Sequence, residues 1–148
     1  MISFEDFIQE NGIPIYLQIL RHIKRGVVAG AIQNGDELPS RRVLSALLGV
    51  NPNTVQKAFA LLEEQGLISS RPGAKSVISV SDEVIAAIRA ELLLSDIKNI
   101  TSALKQMGLT REEASRLIEE KYLKYEKSSV FPETLSIIKN AINDERST

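Results

Sequence analysis

The sequence predicts a mostly helical α+β chain in which three short helices and a β-hairpin precede an all-helical hairpin. Three observations carry that prediction. Apolar residues recur at three- and four-residue steps over most of the length. Ser40, Asn51 and Thr110 stand where helix N-caps belong. The helical period breaks around Pro72-Gly73, a turn pair set between two short β-prone runs.

Taken in order, Ile15, Ile19, Leu20, Ile23 and Val27 form one apolar stripe of a first helix that starts behind Pro14 and stops at Gly30. Ser40 caps a short second helix over Arg41 to Leu48, which Gly49 ends. Asn51 then caps a third helix with Pro52 at its first position, where a fixed φ and a missing NH cost nothing. Only Val50 separates Gly49 from Asn51, so the second and third helices make a tight helix-turn-helix. Gly66 closes the third helix, and Leu67–Arg71 and Ser76–Val80 are expected as strands joined across Pro72-Gly73-Ala74-Lys75, a wing. A long helix follows from Asp82 to Gly108, and Thr110 with Glu113 has the spacing of a capping box that opens another. A last short helix after Pro132 would carry Leu135, Ile138 and Ile142. The expected organisation is an N-terminal arm over 1–13, a winged helix-turn-helix over 14–80 and a helical dimerisation region over 81–148.

Composition narrows the chemistry. With 148 residues, 43% of them hydrophobic, one true core and a small second one can be buried. Zero Cys and a single His, His22, remove thiolate zinc sites, cysteine nucleophiles and His-based triads. No phosphate loop or nucleophile elbow is visible, so an enzyme is not expected and no cofactor is implied. No run is apolar enough to span a bilayer, and the acidic N-terminus is unlike a secretory signal, which points to a soluble, cytoplasmic chain. The net charge of −1 hides an asymmetry: residues 1–13 carry −3, residues 14–80 carry +4 and residues 81–148 carry −2. The middle segment is therefore the part suited to a polyanion.

Within the third helix Val55, Ala58, Phe59 and Leu62 share one face, so Asn53, Lys57 and Ala60 point the other way with Thr54 and Gln56 at the flanks. A major groove about 12 Å wide admits one helix, and Asn, Gln, Thr and Lys side chains can discriminate the base edges there. Taken alone, such a face is also what any solvated helix presents. A protein-interaction module would instead place apolar residues there. Ser40 is a helix cap or, through its backbone neighbours, a phosphate holder. Arg71, Gly73 and Lys75 suit either a groove-contacting wing or a solubilising loop. Tyr16 could donate to a phosphate or pack its ring, and His22 is expected at the surface.

Three separated blocks, Leu38-Pro39-Ser40-Arg41-Arg42-Val43-Leu44, Leu48-Gly49-Val50-Asn51-Pro52-Asn53-Thr54-Val55 and Leu61-Leu62-Glu63-Glu64-Gln65-Gly66-Leu67-Ile68, closely resemble the GntR family of bacterial transcription regulators over residues 14–80. The short helical tail and the Asn51-to-Val55 block resemble its YtrA-like branch, which carries a two-helix dimerisation region. The resemblance implies double-stranded operator DNA as partner, with Ser40, Arg41, Arg42, Asn51, Asn53, Thr54, Gln56, Lys57, Arg71, Gly73 and Lys75 at the interface, Asn53 as chief base reader and Arg42 as the firmer arginine contact. It further implies a repressor, with an ABC transporter operon as its target. At the wing the family pattern has a second Gly, and this chain has Gly73-Ala74-Lys75 in its place.

Ile85, Ile88, Leu92, Ile97, Ile100 and Leu104 on the long helix, with Leu117, Ile118 and Tyr122 on the next, exceed what one hairpin can bury on itself. Pairing with the same hairpin of a second subunit is the physical default, and a twofold dimer requires a palindromic operator. A dimer of hairpins could also enclose a pocket for a small effector, whose chemistry no residue in 81–148 names.

Overall fold

The computed structural model describes residues 1–124, with element order α1 (Ile15–Val28), α2 (Arg41–Leu48), α3 (Pro52–Glu64), β1 (Ile68–Ser69), β2 (Val77–Ile78), α4 (Asp82–Gln106) and α5 (Arg111–Lys124). The expected helix after Pro132 lies outside the described residues. The chain divides into two compact units, Met1–Leu92 and a second beginning at Leu93.

In the first unit α1 turns Ile19, Leu20, Ile23 and Val27 inward, α2 contributes Leu44, and α3 contributes Val55, Ala58, Phe59 and Leu62. Ile19, Ile23, Leu44, Val55 and Leu62 are completely buried, and each such side chain stabilises the fold by roughly 1.5–3 kcal/mol relative to exposure. The link between α2 and α3 is built from local chemistry. Gly49 takes a left-handed conformation at φ +65°, and the buried Ser45 hydroxyl donates to the Val50 carbonyl at 2.6 Å. Ser40 accepts from the Val43 NH at 3.1 Å, and Asn51 accepts from the Asn53 NH at 2.8 Å, so both helices start on side-chain caps. Gly26 serves a close approach instead: a Cβ there would collide with the Ile32 side chain, which folds against α1.

The strands are shorter than expected, two residues each, paired antiparallel as Ile68 with Ile78 and Ser69 with Val77. The other edge of β2 is occupied by the segment before α2. Gly35 donates to Ile78, Ile78 to Asp36 and Leu38 to Ser76, and Glu37 bridges Val77. The Asn34 amide also binds both backbone groups of Val80, at 2.7 and 3.0 Å.

Residues 1–13 pack on this core. Ile2 and Phe4 are buried, the Ile2 NH donates to Glu37, and the buried Gln18 side chain exchanges hydrogen bonds with Glu10 and reaches the Ile13 carbonyl. His22 is half-buried, its ring 4.6 Å from that of Phe4 and its Nε2 2.9 Å from the Ser3 carbonyl oxygen, so it closes over the N-terminal segment where a surface position was expected.

The start of α4 corrects a second expectation. Ile88, assigned from sequence to a subunit interface, is 5% exposed and belongs to the first unit's core, with Ile85 and Leu92 packed against it. A side chain already dry within its own chain has almost no surface left for a partner. In the second unit α4 ends near Gly108, and the Thr110–Glu113 capping box forms in both directions, the Glu113 NH donating to the Thr110 hydroxyl and the Thr110 NH to the Glu113 carboxylate. No helix among the described residues is long and apolar enough to cross a membrane.

Two substitutions test this arrangement in urea unfolding of the full chain. Gly49→Ala, which meets no atom within 4 Å, should lose about 1 kcal/mol from backbone conformation alone. Ile88→Ala should lose about 2–5 kcal/mol by leaving a core cavity; loss of self-association without loss of stability would return Ile88 to an interface.

Candidate nucleic-acid interface

Because α3 commits Val55, Ala58, Phe59 and Leu62 to the core, Asn53, Gln56 and Lys57 are left exposed and Thr54 half-buried at its edge. No acidic residue occupies the first turn of α2 or α3, so the free NH groups and positive dipole ends of both helices are left unneutralised for anions. Arg41 and Arg42 are exposed at the start of α2. The Arg41 guanidinium lies over the Phe59 ring, 5.5 Å from its centroid, while Arg42 has no ion-pair partner among the described residues. Ser40 and Asn51 use an oxygen each for capping, leaving Asn51 its amide NH groups for other partners.

The wing tip, Arg71 to Lys75, is exposed, and Gly73 takes φ +75°, the left-handed region its turn requires. Lys75 turns back to Glu37 with a 3.0 Å ion pair, both side chains about half exposed. Such a surface pair contributes at most about 1 kcal/mol, less than a phosphate contact returns through counterion release. Lys24, one of the cations behind the +4 of residues 14–80, is not available at all. It is buried in α1 and pairs with Glu91 of α4 at 3.6 Å.

Sequence spacing also left two aromatic partners undetected. Lys57 places its ammonium 4.0 Å from the centroid of Tyr16 on α1, just as Arg41 rests on Phe59. The aromatic residues are visible in the sequence, but nothing local says which cation each will meet. Among the described residues no group of three or more His, Asp or Glu could hold a metal ion.

An α-helical reading face beside a capped, basic helix start and a hairpin tip is the geometry of a winged helix-turn-helix. The family model of bacterial regulatory proteins, gntR family, matches residues 15–78. Over 104 residues the chain is 33% identical to the HTH-type transcriptional regulator YhcF of Bacillus subtilis, a match covering 70% of this chain and 86% of YhcF. The chain belongs to the GntR family. It is also 31% identical over 111 residues to the HTH-type transcriptional repressor YtrA of Bacillus subtilis, covering 74% of this chain and 85% of YtrA, which supports the YtrA-like branch. Among solved structures, a GntR family transcriptional regulator from Listeria monocytogenes superposes with a TM-score of 0.64 at 28% identity, covering 76% of this chain and 98% of that one. This GntR protein is accordingly a DNA-binding transcriptional regulator, as its relatives are, and not an enzyme.

One substitution probes the wing's electrostatics. Glu37→Gln should shift the urea midpoint by less than about 1 kcal/mol equivalent and tighten DNA binding, since it removes a negative charge and releases Lys75. Weaker binding in a gel-shift titration would show that the Glu37–Lys75 pair shapes the wing rather than restraining it.

Proposed function

We propose that this GntR regulator is a cytoplasmic repressor that binds a palindromic operator as a homodimer, with α3 in the major groove. The observation that carries the reading is the exposure of Asn53, Gln56 and Lys57 on α3, opposite four buried apolar residues of the same helix. Asn53 is the chief base reader, since an exposed amide can make the bidentate pair with adenine. Thr54 and Gln56 flank it, and Arg42 contacts guanine or phosphate from α2. Ser40, Arg41 and Asn51 supply the helix-start contacts, and Arg71, Gly73 and Lys75 extend the wing toward an adjacent groove or backbone.

Dimerisation is supported by the second unit, where Ile100 and Leu117 are 45% and 44% exposed and Leu94 and Met107 more so. Together with Ile97, Leu104, Ile118 and Tyr122 they offer an apolar surface suited to a twofold copy. Such a dimer must set its two α3 helices about 34 Å apart to enter successive major grooves on one side of the duplex. Repression is supported by the similarity to YtrA, a transcriptional repressor, and an ABC transporter operon is the target that the YtrA-like resemblance favours. A small effector held between hairpins is a compatible source of release.

The test is a salt series of binding to DNA recovered from a random-sequence pool with the full-length protein, alongside Asn53→Ala and Arg42→Ala. Wild type should show a steep salt slope and a palindromic consensus. Asn53→Ala should lose about 1–3 kcal/mol and relax one position of each half-site. Absence of any preference over random DNA would sink the proposal.

A further inference from the structure

Lys57 stands among the groove-facing residues of α3, yet its side chain does not extend freely toward base edges. Its ammonium is 4.0 Å from the centroid of the Tyr16 ring, across the contact between α3 and the first turn of α1. Tyr16 is half-buried and packs against the core, so the ring is a fixed platform, whereas Lys57 is exposed. A free Lys side chain carries about 2 kcal/mol of rotamer entropy, and an exposed cation–π contact of about 0.5–1 kcal/mol is enough to bias it toward one arrangement. That arrangement draws the positive charge toward α1. The side chains of Asn53 and Gln56, also exposed on α3, have no such tether in hydrogen bonds, ion pairs or ring contacts among the described residues.

We infer that Tyr16 is a positioning residue for Lys57, holding its ammonium for a backbone phosphate at the margin of the groove, so that Lys57 supplies affinity without sequence preference. The inference rests on the proposed seating of α3 in the major groove and separates α3 into a reading part, Asn53 with Gln56, and an anchoring part, Lys57 with Tyr16. A lysine charge bound to phosphate carries no sequence information, whereas a lysine at guanine O6 and N7 would discriminate among base pairs.

The experiment uses the full-length protein and the duplex selected by the wild type, with every position of one half-site varied in turn, for Lys57→Met, Tyr16→Leu, Tyr16→Phe and the Lys57→Met, Tyr16→Leu double variant. Circular dichroism and urea midpoints confirm which variants are folded. Lys57→Met should lower the magnitude of the log K against log salt slope by about 0.9 per half-site and weaken all duplexes by a common factor. Tyr16→Leu should weaken binding about 2–5-fold, the equivalent of the lost ring contact, while Tyr16→Phe, which keeps the ring face, stays within about 2-fold of wild type. In the Lys57→Met background Tyr16→Leu should have no further effect, because the group it positions is gone. Additive losses in the double variant would overturn the positioning role, as would a Lys57→Met variant with an unchanged salt slope and relaxed preference at one base pair. If wild type binds no duplex selectively, it is the groove-seated reading itself that fails. If Tyr16→Leu does not fold, Tyr16→Phe and Lys57→Met decide the matter: a drop well beyond 2-fold in Tyr16→Phe would assign the contact to the hydroxyl and not to the ring.

Discussion

The three-residue link Gly49-Val50-Asn51 is the constraint on which the first unit depends. A chain leaving α2 and entering α3 within so short a space needs one left-handed residue, a satisfied carbonyl and an immediate helix start. Gly49, the Ser45 hydroxyl on Val50 and the Asn51 cap supply these in sequence. Once the crossing of α2 and α3 is fixed, the apolar face of α3 can settle only on α1 and α2, and the direction of its polar face follows. The exposed polar face of α3 is thus a by-product of core packing, and its placement is as exact as that of a close-packed interior.

Around that face, flexible cations are tied by weak contacts to rigid groups. Arg41 rests on Phe59, Lys57 on Tyr16 and Lys75 on Glu37. None of these ties matters much to stability. In the proposed complex Arg41 and Lys57, already confined on ring faces, would lose less entropy on meeting a phosphate, whereas Lys75 would first have to leave Glu37. Lys24 shows the other limit: nearly dry and paired with Glu91 across to α4, it joins the first helix to the start of the long one, and its charge is spent inside the protein.

Much of this was legible in the sequence because it is local. Capping residues, prolines at first helical turns and the three- and four-residue apolar period placed α2, α3 and the Thr110–Glu113 box where the structure has them. What escaped was non-local. The alternating pattern of residues 67–71 and 76–80 cannot say where pairing stops, and the partner that completes β2, residues 35–38, has no strand-like period of its own. Ile2 and Phe4 are too few to form a period, so their burial was invisible, as was Gln18's role in holding the segment they belong to. Ile88 fits the same helical stripe whether it packs on its own chain or on another. Of the candidate interface, which α3 side chains would be left exposed was readable and the contacts that restrain them were not, since Tyr16 and Lys57 lie on different helices.

The wing is clasped at its base and open at its tip. Asn34 grips Val80, residues 35–38 line one side of β2, and β1 lines the other, while the exposed tip, Arg71 to Lys75, is tied back by the ion pair of Lys75 with the Glu37 carboxylate. Substitutions in those five positions, the turn's Gly73 apart, would therefore leave the folding of the rest of the unit untouched. The fingertip can thus be altered while the palm that holds it stays the same.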